Sequence, residues 1–164
     1  METAISVSRR RARFGELYAT HAPDARHVAY LLVGDRAQAE DIVQDAFVRV
    51  LGRFGELRKP DAFRTYLMRT VVNLSKNYFR HRLLERNHER QVQHGIIAPP
   101  ERDDDLFDAL RRLPERQRAA LVLRYCEDLS EHDTAEILQT STKAVKSLVT
   151  RGLAALRDME EVVR

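Results

Sequence analysis

The chain has 164 residues, with 28 Lys and Arg against 25 Asp and Glu and a formal net charge of +3. Hydrophobic residues make up 43%, enough for a buried core, and charged residues 32%, which calls for thin elements with long solvated faces. Six glycines, five prolines, no Trp and one cysteine exclude collagen-like, disulfide-rich and wholly disordered classes and point to a mostly helical chain of one domain or two small ones.

Cys126 alone cannot form an internal disulfide and fits a reducing interior. The longest apolar run, Val28 to Val33, is too short to span a bilayer. No apolar signal core follows the basic residues Arg9, Arg10, Arg11 and Arg13. A soluble cytoplasmic protein without membrane insertion is expected.

In chain order, a short helix with Ala25, Val28, Ala29 and Leu32 on one face comes first. Asp35, with Gln38 three residues on, caps the next helix. That helix carries apolar residues at Ala39, Ile42, Val43, Ala46, Phe47, Val50, Leu51 and Phe54. The segment Gly52 to Lys59 breaks the pattern, and Pro60 opens a third helix to about Leu84, burying Phe63, Leu67, Val71, Leu74 and Tyr78. The stretch 91–105, with Gly95, Pro99, Pro100 and the acidic Glu101, Asp103, Asp104 and Asp105, reads as a flexible linker. Beyond it, Leu106, Leu110 and Leu113 mark a helix ending near Pro114, and another runs from Glu115 to about Tyr125. Ser130 caps a short helix, Glu131 to Leu138. Gln139-Thr140-Ser141 forms a tight turn with Ser141 as N-cap, and a helix from Thr142 to about Asp158 turns Val145, Leu148, Val149, Gly152, Leu153 and Leu156 inward. The fold class is all-α: two small helical domains, 10–90 and 106–160, the second holding a helix-turn-helix.

Three surfaces carry the chemistry. Glu40, Asp41, Gln44 and Asp45 form an acidic-amide stripe opposite the apolar face of the second helix. It is either a solvated face or a docking site for a basic partner. Arg69, Asn73, Lys76, Asn77 and Arg80 line the third helix, interleaved with Tyr66, Tyr78 and Phe79. Cations meet phosphate, amides read base edges and rings stack on unpaired bases, so the stripe suits single-strand capture; the alternative is core aromatics beside solvated cations. Lys143, Lys146, Ser147, Thr150 and Arg151 expose a face on the last helix that fits a major groove or, alternatively, the outside of a bundle. The histidines His21, His27, His81, His88, His94 and His132 show no ligand spacing, and no phosphate loop or nucleophile motif occurs. No enzyme, metal site or cofactor is expected.

These motifs resemble the two conserved domains of a bacterial sigma factor of the extracytoplasmic-function (ECF) group of the sigma-70 family, most of all its actinobacterial members. The similarity rests on Leu31-Leu32-Val33-Gly34-Asp35 and Ala39 through Phe47, then Ala62-Phe63-Arg64-Thr65-Tyr66-Leu67, Asn73-Leu74 and Tyr78-Phe79-Arg80. It continues in Leu113-Pro114-Glu115-Arg116-Gln117-Arg118, Leu123-Arg124-Tyr125, Asp128-Leu129-Ser130, Ala135 through Leu138 and Val145-Lys146-Ser147. It covers about residues 10–160.

The resemblance implies binding to core RNA polymerase, at the β′ clamp helices and the β flap, and direction of that enzyme to promoter DNA, with melting and initiation at a specific regulon. It implies that Glu40, Asp41, Gln44 and Asp45 dock on the polymerase. Arg64, Tyr66, Arg69, Asn73, Lys76, Asn77 and Arg80 would hold the minus-ten non-template strand, with the loop Gly52 to Lys59 capturing a flipped base. Ser141, Thr142, Lys143, Lys146, Ser147, Thr150 and Arg151 would read the minus-thirty-five duplex. The linker would thread towards the RNA exit path, its acidic run mimicking nucleic acid, and an anti-sigma factor would be a further partner. Three positions depart from the family pattern: Tyr66 stands where Trp is frequent, Gln139 where the turn often has Gly, and Leu148 where Arg often follows Ser147. A stand-alone helix-turn-helix regulator with a sensor or dimerisation bundle is the rival reading.

Overall fold

The computed structural model describes residues 2–55, 57, 59–89 and 105–163. Its elements are α1 (Glu2–Val33), α2 (Arg36–Gly52), α3 (Pro60–Glu89), α4 (Asp105–Arg112), α5 (Glu115–Leu121), α6 (Glu131–Leu138) and α7 (Thr142–Val163). Described residues contain no strand, as the all-α expectation requires.

Helices α1, α2 and α3 pack pairwise into a three-helix bundle. The apolar stripe of α2 drives this: Val43, Ala46 and Val50 are fully enclosed, as are Val28 of α1 and Phe63, Leu67, Met68 and Val71 of α3. An aromatic cluster closes one end, with Phe14 edge-on to Phe47 and Phe54 at 6.1 and 5.7 Å, and Phe54 edge-on to Phe63 at 6.3 Å. Such T-shaped pairs add specificity to what is otherwise area burial.

Helix α1 is much longer than the short helix expected, because it continues straight through Pro23. Phe14, Leu17 and Tyr18 pack against the core and give this N-terminal part its buried face. Two residues of the apolar patterns turn out: Leu51, at the end of α2, is 48% exposed, and Leu106 is 56% exposed. Leu51 lies about a quarter turn around α2 from Val43 and Val50, at the edge of the buried face, and in α4 Phe107 takes the buried place instead.

In the second half, α5 packs on α7, and α6 packs on both. The helix expected to run unbroken to Tyr125 is α-helical only to Leu121, then widens into a π-turn, Val122–Cys126. Helices α3 and α7 run past their expected ends, to Glu89 and Val163. The expected linker lies outside the described residues except for Asp105, which begins α4.

Local capping follows the sequence. The Asp35 carboxylate accepts from the Gln38 amide at 3.0 Å, and Ser130 Oγ accepts from the Asp133 amide at 3.0 Å. Ser141 Oγ accepts from the Ala144 amide at 3.1 Å and starts α7. Gln139 takes the left-handed conformation, φ 52°, that a glycine would adopt freely.

Candidate nucleic-acid interface and docking face

The outer face of α2 is set by its buried face. Asp41, Gln44 and Asp45 are exposed, and Val48 and Leu51 continue the same side of the helix at 67% and 48% exposure. An acidic strip therefore ends in an apolar one, a combination suited to a protein partner. Asp45 is tied to Arg49 at 3.2 Å within the helix. Glu40 leaves the strip: its carboxylate takes the Arg26 Nε–H at 2.7 Å, and the pairing raises the Arg26 guanidinium above its ordinary range.

On α3, Asn73, Lys76, Asn77 and Arg80 are exposed and aligned, while Tyr66 and Arg69 are half-buried at the N-terminal end of the stripe. Arg53, from the turn after α2, stacks over the Tyr66 ring at 5.6 Å and brings a second cation to that end. Arg64 does not join the stripe. It lies nine residues before Asn73, about two and a half turns, hence on the opposite side of the helix. There it reaches Glu127, at 3.6 Å, from the turn after α5. The turn between α2 and α3 places Phe54 in the core, and residues 56 and 58 lie outside the described residues.

On α7, Ser141, Thr142, Lys143, Lys146, Ser147, Thr150 and Arg151 are all exposed, and Lys143, Lys146, Ser147 and Thr150 share one face. Arg151 bends back onto Ser147, donating to its Oγ at 2.8 Å and to its carbonyl at 3.3 Å. Lys146 stands 3.6 Å from Glu131. Val145 and Gly152 hold the opposite side of α7 in place. A Cβ on Gly152 would approach Leu121 to 2.8 Å, so the helix contact depends on that glycine.

Two family models match the chain: sigma-70 region 2 over residues 17–83, and sigma-70 region 4 over residues 103–156. The RNA polymerase sigma-E factor of Streptomyces avermitilis is 33% identical over 149 residues, covering 88% of this chain and 83% of that protein. This chain belongs to the sigma-70 family. Its ECF group is marked by similarity to the ECF RNA polymerase sigma factor SigX of Bacillus subtilis, 26% identical over 165 residues, with 92% and 85% covered. The sigma factor RpoE of Bartonella quintana, solved with the anti-sigma factor NepR, shares the fold: the TM-score is 0.76 at 23% identity, over 93% of this chain and 99% of that one.

In this sigma factor the two matched regions touch each other, which the sequence did not announce. Arg118 of α5 is buried and donates to the Leu32 carbonyl at the end of α1 at 2.7 Å, while also holding the Arg111 and Leu113 carbonyls at 3.1 Å. Its guanidinium lies 5.0 Å over the Phe79 ring, and burial pushes its pKa down. Phe107 stacks on Tyr30 at 5.4 Å and closes over Gly34, whose φ of +79° a side chain would strain. Glu127, with a side chain only 4% exposed, faces Arg64, His27 and Asp24; burial first, then the Asp24 charge, pushes its pKa up to about 7. Among the described residues no group of three or more His, Cys, Asp or Glu side chains is placed to hold a metal ion, and no helix is long and apolar enough to cross a membrane.

Proposed function

We propose that this sigma factor binds core RNA polymerase through the outer face of α2 and directs it to promoters. On the enzyme, Tyr66, Arg69, Asn73, Lys76, Asn77 and Arg80 hold the separated non-template strand of the minus-ten element. The face of α7 from Ser141 to Arg151 reads the minus-thirty-five duplex. The observation that carries this reading is the α2 face, where exposed carboxylates run into exposed Val48 and Leu51 on a helix whose other side is sealed. Charge there sets register and encounter rate, and apolar area holds the contact.

Each nucleic-acid grip is weak alone: stacking contributes about 1–3 kcal/mol per base and a bidentate base-edge contact about 1–3 kcal/mol. Carried together on one enzyme, the second grip binds at high effective concentration, and two weak sites become selective. Arg64, on the opposite side of α3 and turned towards Glu127, is outside this strand-holding set. An anti-sigma factor, the partner seen with the Bartonella protein, is the regulator this reading expects in a cytoplasmic setting.

The test is run-off transcription with purified core polymerase over a genomic promoter library. Transcripts from a defined subset of promoters, absent without the chain, are expected. Tight binding of duplex operators by the chain alone, with no transcription, would instead establish a stand-alone regulator.

A further inference from the structure

We infer that the arginines near the start of α1, Arg9 and Arg10 with Arg13 beside them, hold phosphates of the separated strand where it leaves the α3 stripe at the turn between α2 and α3. The inference rests on the functional reading above. It lengthens the strand path beyond the region 2 match, which begins only at residue 17.

Charge is concentrated at this end of the chain. Residues 1–15 carry four arginines and one carboxylate, Glu2, a formal +3 that equals the charge of the whole chain, so all later residues balance. Arg9, Arg10, Arg11 and Arg13 are exposed. Among the described residues no carboxylate pairs with Arg9, Arg10 or Arg11. Cations without acidic partners raise the local potential and attract a polyanion. The group is also held in place. Helix α1 runs unbroken from Glu2, and Phe14, edge-on to Phe47 and Phe54, fixes its N-terminal part against the bundle.

Helix geometry aims part of this charge at the turn. At about 100° per residue, Arg9, Arg10 and Arg13 fall within about 100° of one another, on the side that carries Phe14 and Leu17 further along. Arg10 Nη2 lies 3.6 Å from the place a Cβ on Gly55 would take, and the Arg13 guanidinium lies 5.6 Å over the Phe54 ring. Arg53, from the same turn, lies 5.6 Å over Tyr66, the first ring of the strand-holding stripe. Tyr66, Arg53, Arg13, Arg10 and Arg9 thus form one series leading off α3. A strand with its bases on α3 passes its phosphates along that series, and guanidinium forks match phosphate oxygens in pairs. Continuity with Tyr66 favours nucleic acid over an acidic protein. Arg11 lies about 150° around α1 from the middle of the group, away from the turn.

The experiment uses the full chain without polymerase, as wild type, the double variant Arg9→Gln/Arg10→Gln, and Arg11→Gln as the control on the far side of α1. Glutamine has nearly the helix propensity of arginine, so α1 is retained. Fluorescence anisotropy reads binding of a labelled single-stranded oligo-dT between about 50 and about 200 mM salt, which needs no knowledge of the promoter. Each phosphate neutralised on a single strand contributes about 0.7 to the salt slope. The double variant should lower the slope by about 1.4, so that wild type loses about sevenfold more affinity than it over that range. Arg11→Gln should keep the wild-type slope. A double variant with the wild-type slope overturns the inference, as does a wild type that fails to bind oligo-dT at the lowest salt. So does a control that loses as much per charge as the double variant, since net charge alone would then explain the effect. A double variant that binds oligo-dT as wild type does but loses affinity for core polymerase would make the group a protein contact instead. Failure of the functional reading shows elsewhere, as absence of run-off transcription with core enzyme, and leaves the salt slopes standing by themselves.

Discussion

Replacing Glu127 by Gln tests the electrostatics of the contact between the regions. The carboxyl side chain is 4% exposed and lies near Asp24, with Arg64 at 3.6 Å as its counterweight and the His27 ring at 3.7 Å. Burial and Asp24 raise it from 4.5 to about 7. The folded protein therefore binds more protons than the unfolded chain between those values. The group's contribution is fully present below about 4.5 and is lost as pH rises through about 7. A rise of this size corresponds to about 3 kcal/mol, of which about 2 kcal/mol falls between about pH 5 and about pH 8, where the two titrations are only partly complete. Glutamine keeps the shape and does not titrate. Urea unfolding of both proteins between about pH 5 and about pH 8 should show Glu127→Gln gaining about 2 kcal/mol on the wild type across that range. Titrating groups away from Glu127 act equally on both curves and cancel in the comparison. Parallel curves would refute the assignment of a desolvated carboxyl at this position.

Gln139→Gly should stabilise the chain by about 0.5–1 kcal/mol, since glycine adopts the left-handed φ without strain; a lower melting temperature would contradict this. Ser130→Ala removes the cap on the Asp133 amide and should cost about 0.5–2 kcal/mol in thermal unfolding. Lys143→Ala and Lys146→Ala should each flatten the salt dependence of promoter binding by the holoenzyme, lowering the slope by about one as a phosphate goes unneutralised; an unchanged slope removes that lysine from the interface.

Much of the fold is legible in local pattern. The stripe of α2, the three side-chain caps and the turn at Gln139 each arise from residues a few positions apart, and the structure has them where periodicity and capping chemistry place them. Element ends are less legible. A short first helix is expected, yet the neighbouring apolar residues carry α1 through Pro23, and Val122–Cys126 widens into a π-turn with no sequence mark. The candidate surfaces were visible as stripes, but a stripe does not show what sits beside it. Glu40 is drawn off by Arg26, fourteen residues away, and Arg69 is covered by Glu136, sixty-seven residues away. Local pattern does not show what Phe107 and Arg118 meet, because their partners, Tyr30 and Leu32, come from another helix altogether. The outward turn of Val48 and Leu51 had a signal: both fall on the polar side of α2 when every position is placed on the helix.

The most direct measurement is equilibrium binding of labelled chain to core RNA polymerase, comparing wild type with the double variant Asp41→Lys/Asp45→Lys. Both positions are exposed, so the melting temperature should hold while affinity falls by at least about a hundredfold, as like charges are forced together across the docking face. Undiminished binding by a folded double variant would contradict docking through α2.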